Sequence, residues 1–178
     1  MTTVDLGAVV EEACCHARPL GEARGIAIES HVGEAPVVGN GPAIRQLLMV
    51  LLDNAIKYSP RGAAVRVAVA SAAVEITDRG MGISETDVPH IFERFYRARQ
   101  NGAEAASGYG LGLSLADAIA KRHGARIEVT SELGEGSTFR VVFRCRSRHA
   151  TSPSVPPKAD TGSTRADAPT QSEKTPTA

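Results

Sequence analysis

Four short stretches hold side chains whose types and spacing could do chemistry. In LLMVLLDNAIKYSP, residues 47–60, an apolar run ends in Asn54, Lys57 and Tyr58. At helical spacing Gln46, Val50, Asn54 and Lys57 form one stripe, its last two members polar and one turn apart. In DRGMGI, Asp78 to Ile83, a carboxylate precedes two glycines. It can accept a hydrogen bond from the amine of a flat heterocycle while backbone comes close to the ring. In IFERFYRARQ, residues 91–100, Phe92 and Phe95 can pin a lid to the core while Arg94, Arg97 and Arg99 project cations. Arginine beside a transferring phosphoryl group stabilises the charge that develops there. In GYGLGLSLADAIAKRHG, residues 108–124, three alternating glycines open into a helix. A helix start offers unpaired N–H groups and a positive dipole end to phosphate.

Each stretch has a plainer reading when taken alone. Asn54 and Lys57 could be a solvated helix face, Asp78 a turn cap, and the arginines a basic surface helix. The glycine run is not a P-loop, because it lacks the Gly-Lys-Ser/Thr ending. It is not a dinucleotide-binding turn either, because no strand directly precedes it.

The elements that must position these groups are legible from periodicity. Residues 4–24 carry Leu6, Val9, Val10, Ala13, Ala17 and Leu20 at helical spacing, and Gly25 stops the helix. IAIES and APVV read as short strands. Asn40 or Gly41 caps a second helix with Pro42 in its first turn, running to about Tyr58. Its Ile44, Leu47, Leu48, Leu51 and Ala55 make a core stripe. AAVRVAVAS and AAVEITD predict two antiparallel strands joined by a tight turn. An irregular segment from Arg79 to Gly110 is expected to hold one short helix over 89–97 and to act as a lid. A helix closed by Gly124 and a hairpin around LGEG complete the order. That order predicts an α/β fold: a two-layer α/β sandwich of a mixed β-sheet with about three helices on one face and a flexible lid. Residues 1–146 are expected to fold. Residues 147–178, rich in Pro, Ser, Thr and Ala, are expected to be a disordered tail.

Composition removes several classes of function. A formal net charge of zero does not favour adhesion to nucleic acid or to an anionic membrane. Cys14, Cys15 and Cys145 make no disulfide framework and no zinc spacing, and the two neighbours are expected to be packing residues. No signal peptide and no membrane-length apolar run is visible, so the expected location is cytoplasmic.

The four stretches together, in this order and spacing, resemble the ATP-binding catalytic domain of bacterial two-component sensor histidine kinases, within the wider Bergerat-type family shared with gyrase, Hsp90 and MutL. The resemblance covers nearly all of residues 1–146. LLDNAIKYS resembles the family's Asn-containing helix, DRGMGI its first glycine box, IFERFYR its phenylalanine box and GYGLGLSL its second glycine box. GEGSTFRVVF resembles the closing hairpin.

The resemblance implies ATP and Mg²⁺ as cofactors. It implies that Asn54 gives its amide oxygen to the metal, Lys57 contacts phosphate and Tyr58 flanks adenine or ribose. Asp78 would accept from the adenine amine, with Gly80, Gly82 and Ile83 beside the base. Arg97, and behind it Arg94, would act on the γ-phosphate. Gly108, Tyr109, Gly110, Leu111 and Gly112 would hinge the lid and cradle phosphates. Asn54, Lys57 and Arg97 are the catalytic candidates. The implied activity is transfer of the γ-phosphoryl to a histidine on a separate dimerisation protein or domain, which serves a response regulator.

Two departures stand out. Val50 occupies a position where the family usually has a second Asn. Loss of one hydrogen bond to charge costs about 1.5–3 kcal/mol, or one to two decades in affinity or rate. In addition, His16, His31, His90, His123 and His149 all lack the context of a phosphoacceptor. The chain opens at MTTVDL, where the acceptor segment would just have ended, so a split kinase is favoured over a truncated one. Two rival functions share the fold. One is an anti-sigma-factor-type serine kinase, against which the IFERFYR lid argues. The other is a non-catalytic ATP-sensing module, which Val50 favours.

Overall fold

The structure, a computed structural model, describes residues 1–98 and 109–144. Its elements in order are β1 (Thr2–Asp5), α1 (Leu6–Arg24), β2 (Ala27–His31), β3 (Pro36–Gly39), α2 (Gly41–Tyr58), β4 (Ala64–Ala70), β5 (Ala73–Asp78), α3 (Gly112–Arg122), β6 (Arg126–Glu132) and β7 (Gly136–Val142). The main sheet runs β2-β4-β5-β7-β6, with β2 parallel to β4 and every other pair antiparallel. This is the predicted α/β sandwich with a mixed sheet and three helices.

Strand periodicity decides which side of the sheet the helices cover. Val65 and Val67 of β4, Val74 and Ile76 of β5, and Phe139 and Val141 of β7 are buried. The alternate residues carry charge and pair in register: Arg66 opposite Glu29, and Arg140 opposite both Glu75 and Glu128. Asp78 shares the parity of Val74 and Ile76, so its carboxylate lies on the helix side.

The helix α2 lies at the centre of the core. Asn40 caps it, accepting from the Ala43 N–H at 2.9 Å, and Pro42 sits in the first turn. Ile44, Leu47, Leu48, Leu51 and Leu52 are fully buried. Each stabilises the fold by about 1.5–3 kcal/mol on burial. A helix held this firmly presents its opposite stripe in a fixed place. α3 runs antiparallel beside it: His123 Nε2, at the end of α3, accepts from the Asn40 N–H at 3.1 Å.

Four expectations are corrected. Residues 2–5 form a strand rather than the start of α1. They pair with β3 in a separate two-stranded sheet, and Asp5 becomes the cap of α1, accepting from Gly7 N–H at 3.1 Å. The short helix expected over 89–97 is absent; residues 85–95 form successive turns. Phe95 takes a left-handed backbone, φ +65°, and gives its N–H to the Gly110 carbonyl, neither of which a helix over 89–97 allows. Within 89–97 the bonds are turn bonds three residues apart, His90 N to Asp87 O at 2.8 Å and Glu93 N to His90 O at 2.8 Å. Phe95 does not pin the segment, being 70% exposed; Ile91 is buried and Phe92 half-buried in that role. Finally, Cys14 packs in the core, where burial pushes its thiol up to about 11, but its neighbour Cys15 is exposed. The expected disordered tail lies outside the described residues.

Candidate functional site

Two glycine segments meet the C-terminal half of α2. A Cβ placed on Gly112, the first residue of α3, would lie 3.4 Å from Val50 Cγ1. A Cβ on Gly80 would lie 2.7 Å from the Tyr58 carbonyl oxygen. Asn54 is four residues from each of Val50 and Tyr58, so it sits on α2 between the two contacts. Because α3 ends beside Asn40 and starts beside Val50, the last two turns of α2 run on past the N-terminus of α3. Those turns carry Asn54 and Lys57, both half-buried. Lys57 Nζ stands 5.5 Å from the centroid of the Tyr58 ring, a cation–π contact.

Asp78 closes β5 and is 5% exposed. It accepts from Gly80 N–H at 2.8 Å. Burial raises its carboxyl above the usual range, against the opposing pull of the Gly80 and Ser137 backbone groups. Its neighbours Gly80 and Gly82 are tight for reasons internal to the protein. Gly82 has φ +71°, and a Cβ there would lie 1.9 Å from the Glu132 carbonyl oxygen. Gly80 faces the Tyr58 carbonyl and the Asp78 carboxylate. On the side that a Cβ would occupy, both glycines are thus approached by protein backbone. Ile83 donates its N–H to Ser131 Oγ at 2.8 Å.

At the other end, α3 begins without a side-chain cap. Ser114 Oγ bonds the Leu111 carbonyl at 2.9 Å and so leaves the first-turn N–H groups to other partners. Gly110 has φ +68°, and its carbonyl accepts from the Phe95 N–H at 2.9 Å. The phenylalanine box and the second glycine box are therefore held together at that point. Tyr109 is 86% exposed; Leu111, Arg94 and Arg97 are also exposed. Gly108, Arg99 and Gln100 lie outside the described residues.

The matching family describes this arrangement. A sequence profile for histidine kinase-, DNA gyrase B- and HSP90-like ATPases matches residues 39–147. The chain belongs to that family. It is 39% identical over 102 residues to the signal transduction histidine-protein kinase ArlS of Staphylococcus aureus, a match over 55% of this chain and 23% of ArlS. The chain thus spans less than a quarter of the curated relatives it matches. Among solved structures, the mycobacterial sensor histidine kinase MprB superposes with a TM-score of 0.69 and 27% identity, over 79% of this chain and 96% of that one. Full-length ShkA in complex with AMPPNP superposes with a TM-score of 0.64 at 21% identity, over 79% of this chain and 30% of ShkA, a likeness of fold. This is an ATP-binding catalytic domain of the histidine kinase type.

Other residues of this ATPase-family domain escaped the sequence analysis. Asp87 receives the Tyr96 hydroxyl at 2.5 Å and the Ser84 hydroxyl at 2.7 Å. Those two donors, Tyr96 foremost, hold its carboxyl below the usual range. The knot fastens the residues just before Arg97. Its signal was present as Ser84-x-x-Asp87, the spacing of a local side-chain cap. Ser131 left no such signal, because its partner Ile83 is 48 residues away.

Proposed function

We propose that this domain binds ATP along the exposed end of α2 and transfers the γ-phosphoryl group to a histidine on a separate dimerisation protein or domain. The observation that carries the reading is the antiparallel pairing of α2 with α3. It leaves Asn54 and Lys57 just beyond the uncapped start of α3, with Asp78 at the strand end behind Tyr58.

Adenine would sit at Asp78, its exocyclic amine donating to the carboxylate, with Tyr58 at its flank and Gly80, Gly82 and Ile83 forming the wall. The triphosphate would extend toward the N–H groups of α3 and the backbone of Gly108, Tyr109, Gly110, Leu111 and Gly112. Among the described residues no group of three His, Cys, Asp or Glu could hold a metal by itself. Asn54 nevertheless offers one neutral amide oxygen, a hard donor of the kind Mg²⁺ accepts while substrate phosphates and water complete its shell. The donor set fits, and Asn54 would hold the ion, which when bound neutralises phosphate charge. Lys57 neutralises charge on the phosphates, and Arg97, with Arg94 behind it, stabilises the transferring group. A histidine nitrogen of the partner attacks γ-phosphorus in line. The bond to the β,γ-bridging oxygen breaks, and ADP leaves with that electron pair. The site stripe holds no base, so the partner supplies it. A response regulator then takes the phosphoryl group, and the setting is cytoplasmic; no helix among the described residues is long and apolar enough to cross a membrane.

Val50 supports a second reading. Its apolar side chain lies against Gly112, at the phosphate end of the stripe, where it can offer nothing to charge. A non-catalytic ATP-sensing module would have this composition. One experiment separates the readings: γ-labelled ATP and Mg²⁺ are incubated with the protein and a candidate histidine-containing partner. Acid-labile label on the partner is the expected result. Binding without transfer to any partner supports the sensing module, and acid-stable label on serine supports a serine kinase.

A further inference from the structure

The hydroxyl of Ser131 has three partners on two segments around Asp78. It accepts from the Ile83 N–H at 2.8 Å, donates to the Gly136 carbonyl at 2.9 Å and lies 2.8 Å from Ser137 Oγ. A serine hydroxyl has one proton and two lone pairs. With the proton committed to Gly136, Ser137 must be the donor in the third contact, and the capacity of Ser131 is then full. Ser131 and Ser137 are also register partners across β6 and β7, while Ser137 and Asp78 are register partners across β7 and β5. The first limb of this network, Ile83, belongs to the loop that carries Gly80 and its N–H to Asp78. The second limb, Gly136–Ser137, lies against Asp78 from the other side: a Cβ on Gly136 would come 2.1 Å from the Asp78 carbonyl oxygen, and the Ser137 backbone pulls on the Asp78 carboxyl. The turn between β6 and β7 closes the same clasp, with Gly134 N–H donating to the Met81 carbonyl at 2.8 Å.

We propose that Ser131 is a positioning residue for base recognition: its hydroxyl ties the loop after β5 to the start of β7 and so aims the Asp78 carboxylate. This rests on the reading of Asp78 as the acceptor for the adenine amine. Ser131 itself does not touch nucleotide. It acts through the two backbone segments that flank Asp78.

The test compares ATP with purine riboside triphosphate, which lacks the 6-amino group, by titration calorimetry with Mg²⁺ on the full chain. Ser131→Ala is expected to weaken ATP binding about tenfold, the scale of one hydrogen-bond network member. It should change binding of the amine-free analogue less than about twofold, because that ligand makes no use of the aim of Asp78. Ser131→Thr, which keeps the hydroxyl, should restore the preference for ATP. Ser131→Cys, a weaker donor of similar size, should fall between and serves if the alanine variant does not fold. Equal weakening of both nucleotides by Ser131→Ala or Ser131→Cys would make the residue merely structural and overturn the proposal. Asp78→Asn is the control. If it too leaves the ATP preference intact, the base-recognition reading itself fails; if it removes the preference while the Ser131 variants keep it, only the role of Ser131 fails.

Discussion

The two ends of the candidate site are built differently. The Asp78 end is closed on itself. Asp78 is buried, and the glycines beside it abut the backbone of other elements rather than open space. The phosphate end is open: Tyr109, Leu111, Arg94 and Arg97 are exposed, and the start of α3 carries no side-chain cap. An end that recognises a flat base gains from rigid preorganisation, since little ordering entropy is then lost on binding. On the proposed function the other end receives a partner's side chain and gives up a phosphoryl group, and it cannot be sealed in the same way.

The sharpest test of this contrast sets Gly82 against Gly112. Gly82→Ala meets both a positive φ and the Glu132 carbonyl, and is expected to destabilise the fold by about 2–4 kcal/mol in denaturant titration. Gly112→Ala meets only Val50 at ordinary contact distance and should alter stability by less than about 1 kcal/mol. Comparable losses at the two positions would erase the contrast.

Asn54→Ala addresses the open end. It should reduce Mg-ATP-dependent transfer at least about a hundredfold while leaving the melting transition near that of the parent chain. Near-normal transfer would remove Asn54 from the metal.

Asp78→Asn addresses the closed end and separates function from stability. The folded carboxyl titrates above its unfolded value, so the native state binds the extra proton between those two values. Its contribution is therefore fully present below the unfolded value and lost as pH rises through the folded one. The Asn variant should lose adenine nucleotide affinity about tenfold, yet be at least as stable as the parent at neutral pH and lack this part of the pH slope. Asp87, at the root of the open end, has the opposite sign. Its carboxyl is depressed, so its contribution holds above the unfolded value and fades as pH falls through the folded one. Tyr96→Phe removes its leading donor and is the mildest change. Stability should fall slightly, read by thermal unfolding, and transfer should slow through the looser setting of Arg97.

What could be read from the sequence follows the range of the forces involved. α2 was legible to within a residue or two, because its cap, proline and core stripe are local and agree. The hairpin of β6 and β7 was legible for the same reason. β1 was not: its four mostly exposed residues become a strand only through β3, more than 30 positions away. The short helix expected over 89–97 was not formed, because the Phe95 N–H goes to the Gly110 carbonyl, a contact that lies outside the local sequence. The order of the four motifs carried the family. Which residues hold Asp78 in place depends on Ser131 and on the β6–β7 turn, contacts between segments that no spacing rule connects.

The pairing of α2 and α3 has a mechanical consequence. Two rods touching at one point can swivel; two rods touching at both ends of the shorter one cannot. α3 is tied to α2 at His123–Asn40 and rests on it again at Gly112–Val50. Its axis is thereby fixed in direction, and so is the line along which its first N–H groups point. The helix therefore behaves as a braced strut, and any ligand held by those N–H groups meets a donor set of fixed direction.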